Sequence, residues 1–203
     1  MSEIRSCTIE SFLTDVASTS PTPGGGSVAA CCAATAAGLA LMVERIGSNK
    51  REGPSFQPLI ARCECLREAF LNFADRDATA YTAVIDAYRL PKTTETRSQA
   101  IDAALHQAAE VPLTVAEHCL DLLELLAELA LLSPGSCISD VGVATLLGKA
   151  ALDGALLNVE INLAAMKSTV AVAPITERVH VLSRRSTDLA EQALSCVRER
   201  IKS

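Results

Sequence analysis

Hydrophobic positions along this 203-residue chain recur at three- and four-residue steps in every long segment, and no stretch alternates apolar and polar residues as a half-buried strand would. The spacing predicts a short first helix over Thr8–Ser18 and an Ala-rich second over Ser27–Ile46, closed by the polar break GSNKREGPS. A very long third helix spans Pro58–Leu90 and stops at Pro91. Thr93 or Thr94 caps a fourth that reaches Glu110, and Pro112 sits early in a fifth that runs to Leu132. The turn SPGSC leads into a sixth over Ser139–Lys167, and an amphipathic last helix covers Pro174–Ile201. The expectation is one all-α domain over residues 1–203, a bundle of about seven mostly antiparallel helices.

Composition sharpens this picture. The chain is 49% hydrophobic with a mean hydropathy of +0.27, more apolar surface than one core of this size holds, so an oligomer is expected. The fifth helix, VPLTVAEHCLDLLELLAELALL, is apolar nearly all round, with Asp121, Glu124 and Glu128 as one thin polar stripe. Such a helix belongs in a core or a subunit interface, so the bundle is expected to form a homodimer through its apolar helices. The net charge is −6 with no basic patch, which argues against nucleic acid as a partner. The uncharged run Val16–Val43 is broken by Pro21, Pro23 and Gly24–Gly26, and its apolar part falls short of the roughly 20 residues of a membrane span. With no basic, apolar leader at the start, the cytoplasm is the expected location.

Eight cysteines form no CxxC pair, and His106, His118 and His180 have no ligand spacing beside them. They read as reduced, buried thiols rather than as a metal site. The stretch PTPGGGSVAA is different. Gly24, Gly25 and Gly26 are free to take backbone angles closed to other residues, and Ser27 opens a helix whose unpaired N–H groups suit an anionic or carbonyl-bearing ligand. A tight turn against neighbouring backbone would explain them equally well.

Polar groups also interrupt apolar faces. Leu66, Phe70, Phe73, Asp77, Tyr81, Val84 and Tyr88 follow one another at helical spacing, so Asp77 must be paired, protonated or open to a cavity. Lys149, Asp153 and Glu160 share one stripe, whereas Asn158 and Asn162 point to the opposite face, among Leu156, Ile161 and Ala165. A helix–helix hydrogen bond or recognition of a polar ring edge would each account for the two amides. In CISDVGVA, Ser139 reads as an N-cap and Asp140 as a favourable first-turn acid. Asp140 and Asn158 are five turns apart, about 27 Å on a straight helix, and would serve one site only if a second subunit brought an end across.

Six motifs in order (SPTPGGGSVAA, DxxAY at Asp77–Tyr81, YRLPK at Tyr88–Lys92, EVPL at Glu110–Leu113, ISDVGVA at Ile138–Ala144 and LNVEINL at Leu157–Leu163) resemble the cyclodeaminase/cyclohydrolase family of one-carbon folate metabolism. The resemblance covers nearly the whole chain from Phe12. It implies a helical homodimer with the folate site close to the subunit interface, and no metal or redox cofactor. The substrate would be a tetrahydrofolate carrying its one-carbon unit on N5 or bridging N5 and N10. A cyclohydrolase opens the methenyl bridge with water to 10-formyltetrahydrofolate. A cyclodeaminase closes 5-formiminotetrahydrofolate to the methenyl form and expels ammonia. On this resemblance Asp77 moves the proton, with Asp140 as a second catalytic acid. Pro23, Gly24, Gly25, Gly26, Ser27, Tyr81, Lys92, Ser139, Asn158 and Asn162 contact the substrate, and Lys50 and Arg51 meet the glutamate tail.

Two departures stand out. IGSNKRE replaces consecutive basic residues followed by an aromatic, and Thr79 stands where the family pattern often has Glu. The first keeps open a folate-binding module without catalysis. A purely structural dimerising bundle is a third reading, in which Asp77 and Asn162 would tolerate apolar replacement.

Overall fold

A computed structural model describes residues 3–48, 57–166 and 169–202. Lys50 and Arg51 lie outside the described residues. The helices are α1 (Ile9–Val16), α2 (Gly25–Ser48), α3 (Gln57–Arg89), α4 (Arg97–Leu132), α5 (Ile138–Ala165) and α6 (Thr169–Lys202), with 3₁₀ turns at Ile4–Ser6 and Gly135–Cys137. Among the described residues there is no strand, as the periodicity predicts.

The helix count is six rather than about seven because the expected fourth and fifth helices are one. Pro112 lies inside α4 instead of opening a new helix. The break is overridden because α4 is clamped on several sides: Val111, Pro112, Leu113, Val115 and Ala116 are all buried against neighbouring helices. Thr8 does cap α1, accepting from Ser11 N at 3.1 Å. Ser139 does not cap α5, because the 3₁₀ turn at Gly135–Cys137 runs straight into the helix and makes Cys137 the boundary residue. Asp140 does sit in the first turn of α5.

Helices α2, α3, α4 and α5 form an antiparallel four-helix bundle in which α2 and α4 each touch both α3 and α5, while α6 lies over α4 and α5. Short residues set the approach of α2 to its neighbours. Ala30, Ala33, Ala36, Ala37 and Ala40 are fully buried, and a Cβ on Gly154 of α5 would stand 3.6 Å from that of Ala29. By length and composition α2 qualifies as a membrane span, contrary to the reading of the Val16–Val43 run, but most of its apolar window is buried inside the bundle. The apolar α4 is likewise consumed within the chain: Leu122, Leu123, Leu125, Leu126 and Leu129 are fully buried. Of its thin acidic stripe Glu124 faces α6, where Arg185 meets it at 2.6 Å and Arg178 meets the neighbouring Glu117, while Asp121 lines a groove beside α3. Arg200 of α6 closes the C-terminal end of α4 by donating to Ala130 O at 2.7 Å and Ser133 O at 2.6 Å.

One buried group works against the fold. Glu44 near the end of α2 is 0% exposed, and neither carboxylate oxygen has a hydrogen bond of ordinary geometry. The Cys63 thiol of α3 beside it is a weak donor only. Burial lifts the Glu44 pKa from 4.5 to about 7, with the Glu128 charge raising it further and Cys63, Arg45 and Arg62 lowering it. Below pH 4.5 both folded and unfolded chains carry the proton. As pH rises toward 7 the unfolded chain ionises first, so folding loses on the order of 3 kcal/mol across that interval. Glu44→Gln should remove this loss. The difference in unfolding free energy between wild type and variant, measured in urea, should therefore shift by that order between pH 4.5 and 8. A difference that stays flat with pH would refute the buried-acid account.

Candidate active site

The starts of α2 and α4 and the ends of α3 and α5 meet at one end of the bundle. Here Asp77 of α3 reaches the first turn of α2. Its Oδ2 accepts from Ser27 N at 2.9 Å and from Ser27 Oγ at 3.0 Å, while the same hydroxyl lies 2.9 Å from Ala74 O. The anion attracted by the helix N-terminus is thus the chain's own carboxylate, in the place where the sequence suggests a ligand. Burial raises the pKa of Asp77, and the two Ser27 hydrogen bonds lower it, with burial the larger influence.

The glycines act through their missing Cβ. Among the described residues no glycine has a positive φ, so Gly24, Gly25 and Gly26 are not there for forbidden backbone angles. A Cβ on Gly26 would lie 2.6 Å from Asp77 Cγ, well inside contact distance. On Gly25 it would lie 3.4 Å from Asn158 Nδ2, an ordinary contact. Of the three, Gly26 is the one that the close approach of α3 to α2 requires.

Beside this junction is a cleft of about 330 Å³ lined by residues that include Gly24–Gly26, Asp77, Tyr81, Ala108, Asn158 and Asn162. Its walls answer the question about the amides. Asn162 Nδ2 donates to Ala108 O of α4 at 3.1 Å and to Asn158 O at 2.7 Å, and Asn158 Nδ2 donates to Gly154 O at 2.8 Å. Both asparagines are half-buried and both line the cleft, so a helix–helix bond and a place on the site coexist. Ile161, expected among buried neighbours, is 68% exposed at the cleft edge.

Other candidates fall elsewhere. Ser139 and Asp140 lie at the opposite end of α5 from Asn158, and Lys92 is exposed in the connection between α3 and α4. Pro23 is buried just before α2, beside Cys7 and Phe12, and does not itself line the Asp77 cleft, although Thr22 and Gly24 on either side of it do. Thr79 faces solvent, as its place in the periodicity suggests. Ala80 and Ala108 also line the wall without any mark in the sequence, since an alanine carries no chemical signal of its own, and Pro21 and Thr22 join them. Two larger surface grooves, of about 510 Å³ beside Asp75 and Asp86 and about 520 Å³ beside His118 and Asp121, do not contain the Asp77–Ser27 junction. Among the described residues, no three His, Cys, Asp or Glu side chains come together as a metal-ligand set.

An all-helical bundle with a cleft that holds a desolvated acid, seated on a glycine-rich helix start and faced by two amides, offers a candidate site for a small polar ligand. Known proteins share the fold as a whole. Residues 8–181 match the model of the formiminotransferase-cyclodeaminase family, and the chain belongs to that family. It is 38% identical to the methenyltetrahydrofolate cyclohydrolase of Methylorubrum extorquens over 166 residues, which cover 76% of this chain and 78% of that one. It is 33% identical to the formimidoyltransferase-cyclodeaminase of Rattus norvegicus over 95% of its own length, but spans only 37% of that longer relative. The crystal structure of the formiminotetrahydrofolate cyclodeaminase of Thermotoga maritima superposes with a TM-score of 0.89 at 25% identity, covering 97% of this chain and 98% of that one.

The two glycines give a direct test of the junction. Gly26→Ala should cost about 1–3 kcal/mol of stability through overpacking against Asp77. Gly25→Ala should be neutral or slightly stabilising, because alanine suits a helix and its Cβ would make only an ordinary contact with Asn158. Urea unfolding of both variants checks this, and equal effects would contradict a contact confined to Gly26.

Proposed function

We propose that the protein is a methenyltetrahydrofolate cyclohydrolase, adding water to 5,10-methenyltetrahydrofolate to give 10-formyltetrahydrofolate. The observation that carries this reading is the Asp77 carboxyl, desolvated at the mouth of a cleft yet anchored on Ser27 through Oδ2 alone. In the hydrolysis, water attacks the cationic bridging carbon and loses a proton; the C–N5 bond then opens with N5 gaining a proton, while the hydroxyl on that carbon releases its own to solvent and becomes the formyl oxygen. A single group that takes the first proton and returns the second is sufficient, and Oδ1 is the Asp77 atom left to carry it. The Asn158 and Asn162 amides would meet the pterin's donor and acceptor edge. The chemistry asks for neither metal nor redox cofactor. A relative 38% identical that matches over three-quarters of both chains bears the cyclohydrolase name.

The structural neighbour supports a second reading, formiminotetrahydrofolate cyclodeamination, in which N10 attacks the formimino carbon and ammonia leaves. Its tetrahedral carbon between nitrogens makes the same demand on Asp77. Loss of catalysis with retained folate binding is the outcome that the IGSNKRE segment keeps in view.

We propose further that the active unit is a homodimer paired through α5. Val143, Leu146, Leu157 and Ile161 are 48%, 57%, 64% and 68% exposed on one face of that helix. Val143 and Ile161 lie equally far on either side of Leu152, and Leu146 and Leu157 nearly so. Lys149 and Asp153, paired at 2.6 Å within the helix, sit between them. A stripe that reads alike in both directions matches an antiparallel copy of itself, apolar on apolar and Lys149 facing acid. That pairing would carry the Ser139–Asp140 end of one copy toward the Asn162 end of the other, which gives Asp140 a place beside the folate cleft.

Two outcomes are expected. Asp77→Asn should lower turnover at least about 100-fold while folate binding persists. Absorbance of 5,10-methenyltetrahydrofolate, followed as loss and as formation from the 5-formimino compound, measures this and separates the two reactions. Activity of the variant within a few-fold of wild type would remove Asp77 from the chemistry. Leu146→Glu should give a folded monomer in sedimentation experiments where wild type is a dimer, and a dimeric variant would displace the interface from α5.

A further inference from the structure

Pro112 raises a specific question of hydrogen bonding. In an α-helix each carbonyl receives the N–H four residues on, so Ala108 O would be served by residue 112. Proline has no N–H to give. The donor that reaches Ala108 O comes instead from another helix: Asn162 Nδ2, at 3.1 Å. The same nitrogen reaches Asn158 O at 2.7 Å. An amide NH₂ has two hydrogens, and both are engaged here. Both neighbours are backbone carbonyls, which only accept, so the nitrogen rather than the oxygen must face them and the amide has one orientation.

We propose that Pro112 is a positioning residue: by withholding its N–H from Ala108 O, it holds the Asn162 amide so that only Oδ1 remains to meet a ligand, and the cleft thereby selects a ring edge bearing N–H donors at that point. Ala108 and Asn162 both line the cleft that contains Asp77, so the unserved carbonyl and the amide it captures belong to the wall itself. The ligand edge is named from the folate reading above, as the amino-pyrimidinone side of the pterin. The orientation of Asn162 stands on the hydrogen bonds alone.

The test uses the intact, isotopically labelled protein. In wild type the two Asn162 side-chain amide protons should exchange slowly with solvent in proton–nitrogen NMR spectra. Pro112→Ala supplies the missing backbone N–H to Ala108 O. Exchange of the Asn162 protons and the KM for 5,10-methenyltetrahydrofolate should then each rise roughly tenfold, the scale of one orienting hydrogen bond, with kcat changed far less. Combined with Asn162→Ala, Pro112→Ala should add no further rise in KM, because its effect passes through that amide. Rapid exchange of the Asn162 protons in wild type, unchanged exchange and KM in Pro112→Ala, or fully additive effects in the double variant would each overturn the proposal. The first readout needs no altered chain and holds even if the variant fails to fold. Should the wild type act on neither folate, the proposed function falls, and the exchange measurements still decide the role of Pro112.

Discussion

The contact between the Asp77 carboxylate and the first turn of α2 organises the end of this molecule that holds the candidate site. A carboxylate at a helix N-terminus is favoured by the partial positive charge there and by N–H groups that the helix itself cannot serve. Ser27 provides both its backbone N–H and its hydroxyl to the same oxygen. That contact requires α3 to come so near α2 that Gly26 has no room for a side chain. The acid is therefore held in part by backbone, which moves less than a side chain, and in part by the Ser27 hydroxyl. Burial then pulls its pKa upward against the helix, leaving a fixed acid in a cleft rather than a fully solvated carboxylate.

A second constraint concerns the opposite wall. Pro112 lies within the longest helix, and the carbonyl that it leaves unserved faces the cleft-lining end of α5. The missing donor is supplied by Asn162, so a local backbone defect ties α4 to α5 beside the site. Small residues let the helices come close enough for such exchanges: buried alanines run along α2, and Gly154 of α5 packs against Ala29. Bulkier residues along these seams would separate the helices and loosen both walls.

Not every buried polar group contributes in this way. Glu44 sits at the other end of α2 with no ordinary hydrogen-bond partner and a raised pKa, a cost that the cleft does not explain. The contrast with Asp77 is instructive. Both are acids on apolar surroundings, but only Asp77 has been given donors and an adjoining cavity.

Much was legible in the chain itself. Helical periodicity announced every long helix, because a 3.6-residue repeat of apolar positions is a local property. Asp77 stood out for a similar reason, as one charge in an apolar stripe, and the order of six short motifs indicated the family. Other features depended on neighbours distant in sequence. Whether Pro112 ended a helix was decided by the packing around it, which overrides local preference. Whether α4 faced a partner was decided by α5, α3 and α6, which cover it, leaving the exposed apolar stripe on α5 instead. Gly26 looked like a turn residue, yet its role is set by the carboxylate of Asp77, far along the chain. The separation of Ser139 and Asp140 from the cleft follows from α5 being one continuous helix over Ile138–Ala165. Periodicity records which side of an element is apolar, whereas distances between elements arise only when their faces pack. For that reason the sequence alone determined the helices and the acid, and the tertiary structure decided what the acid touches.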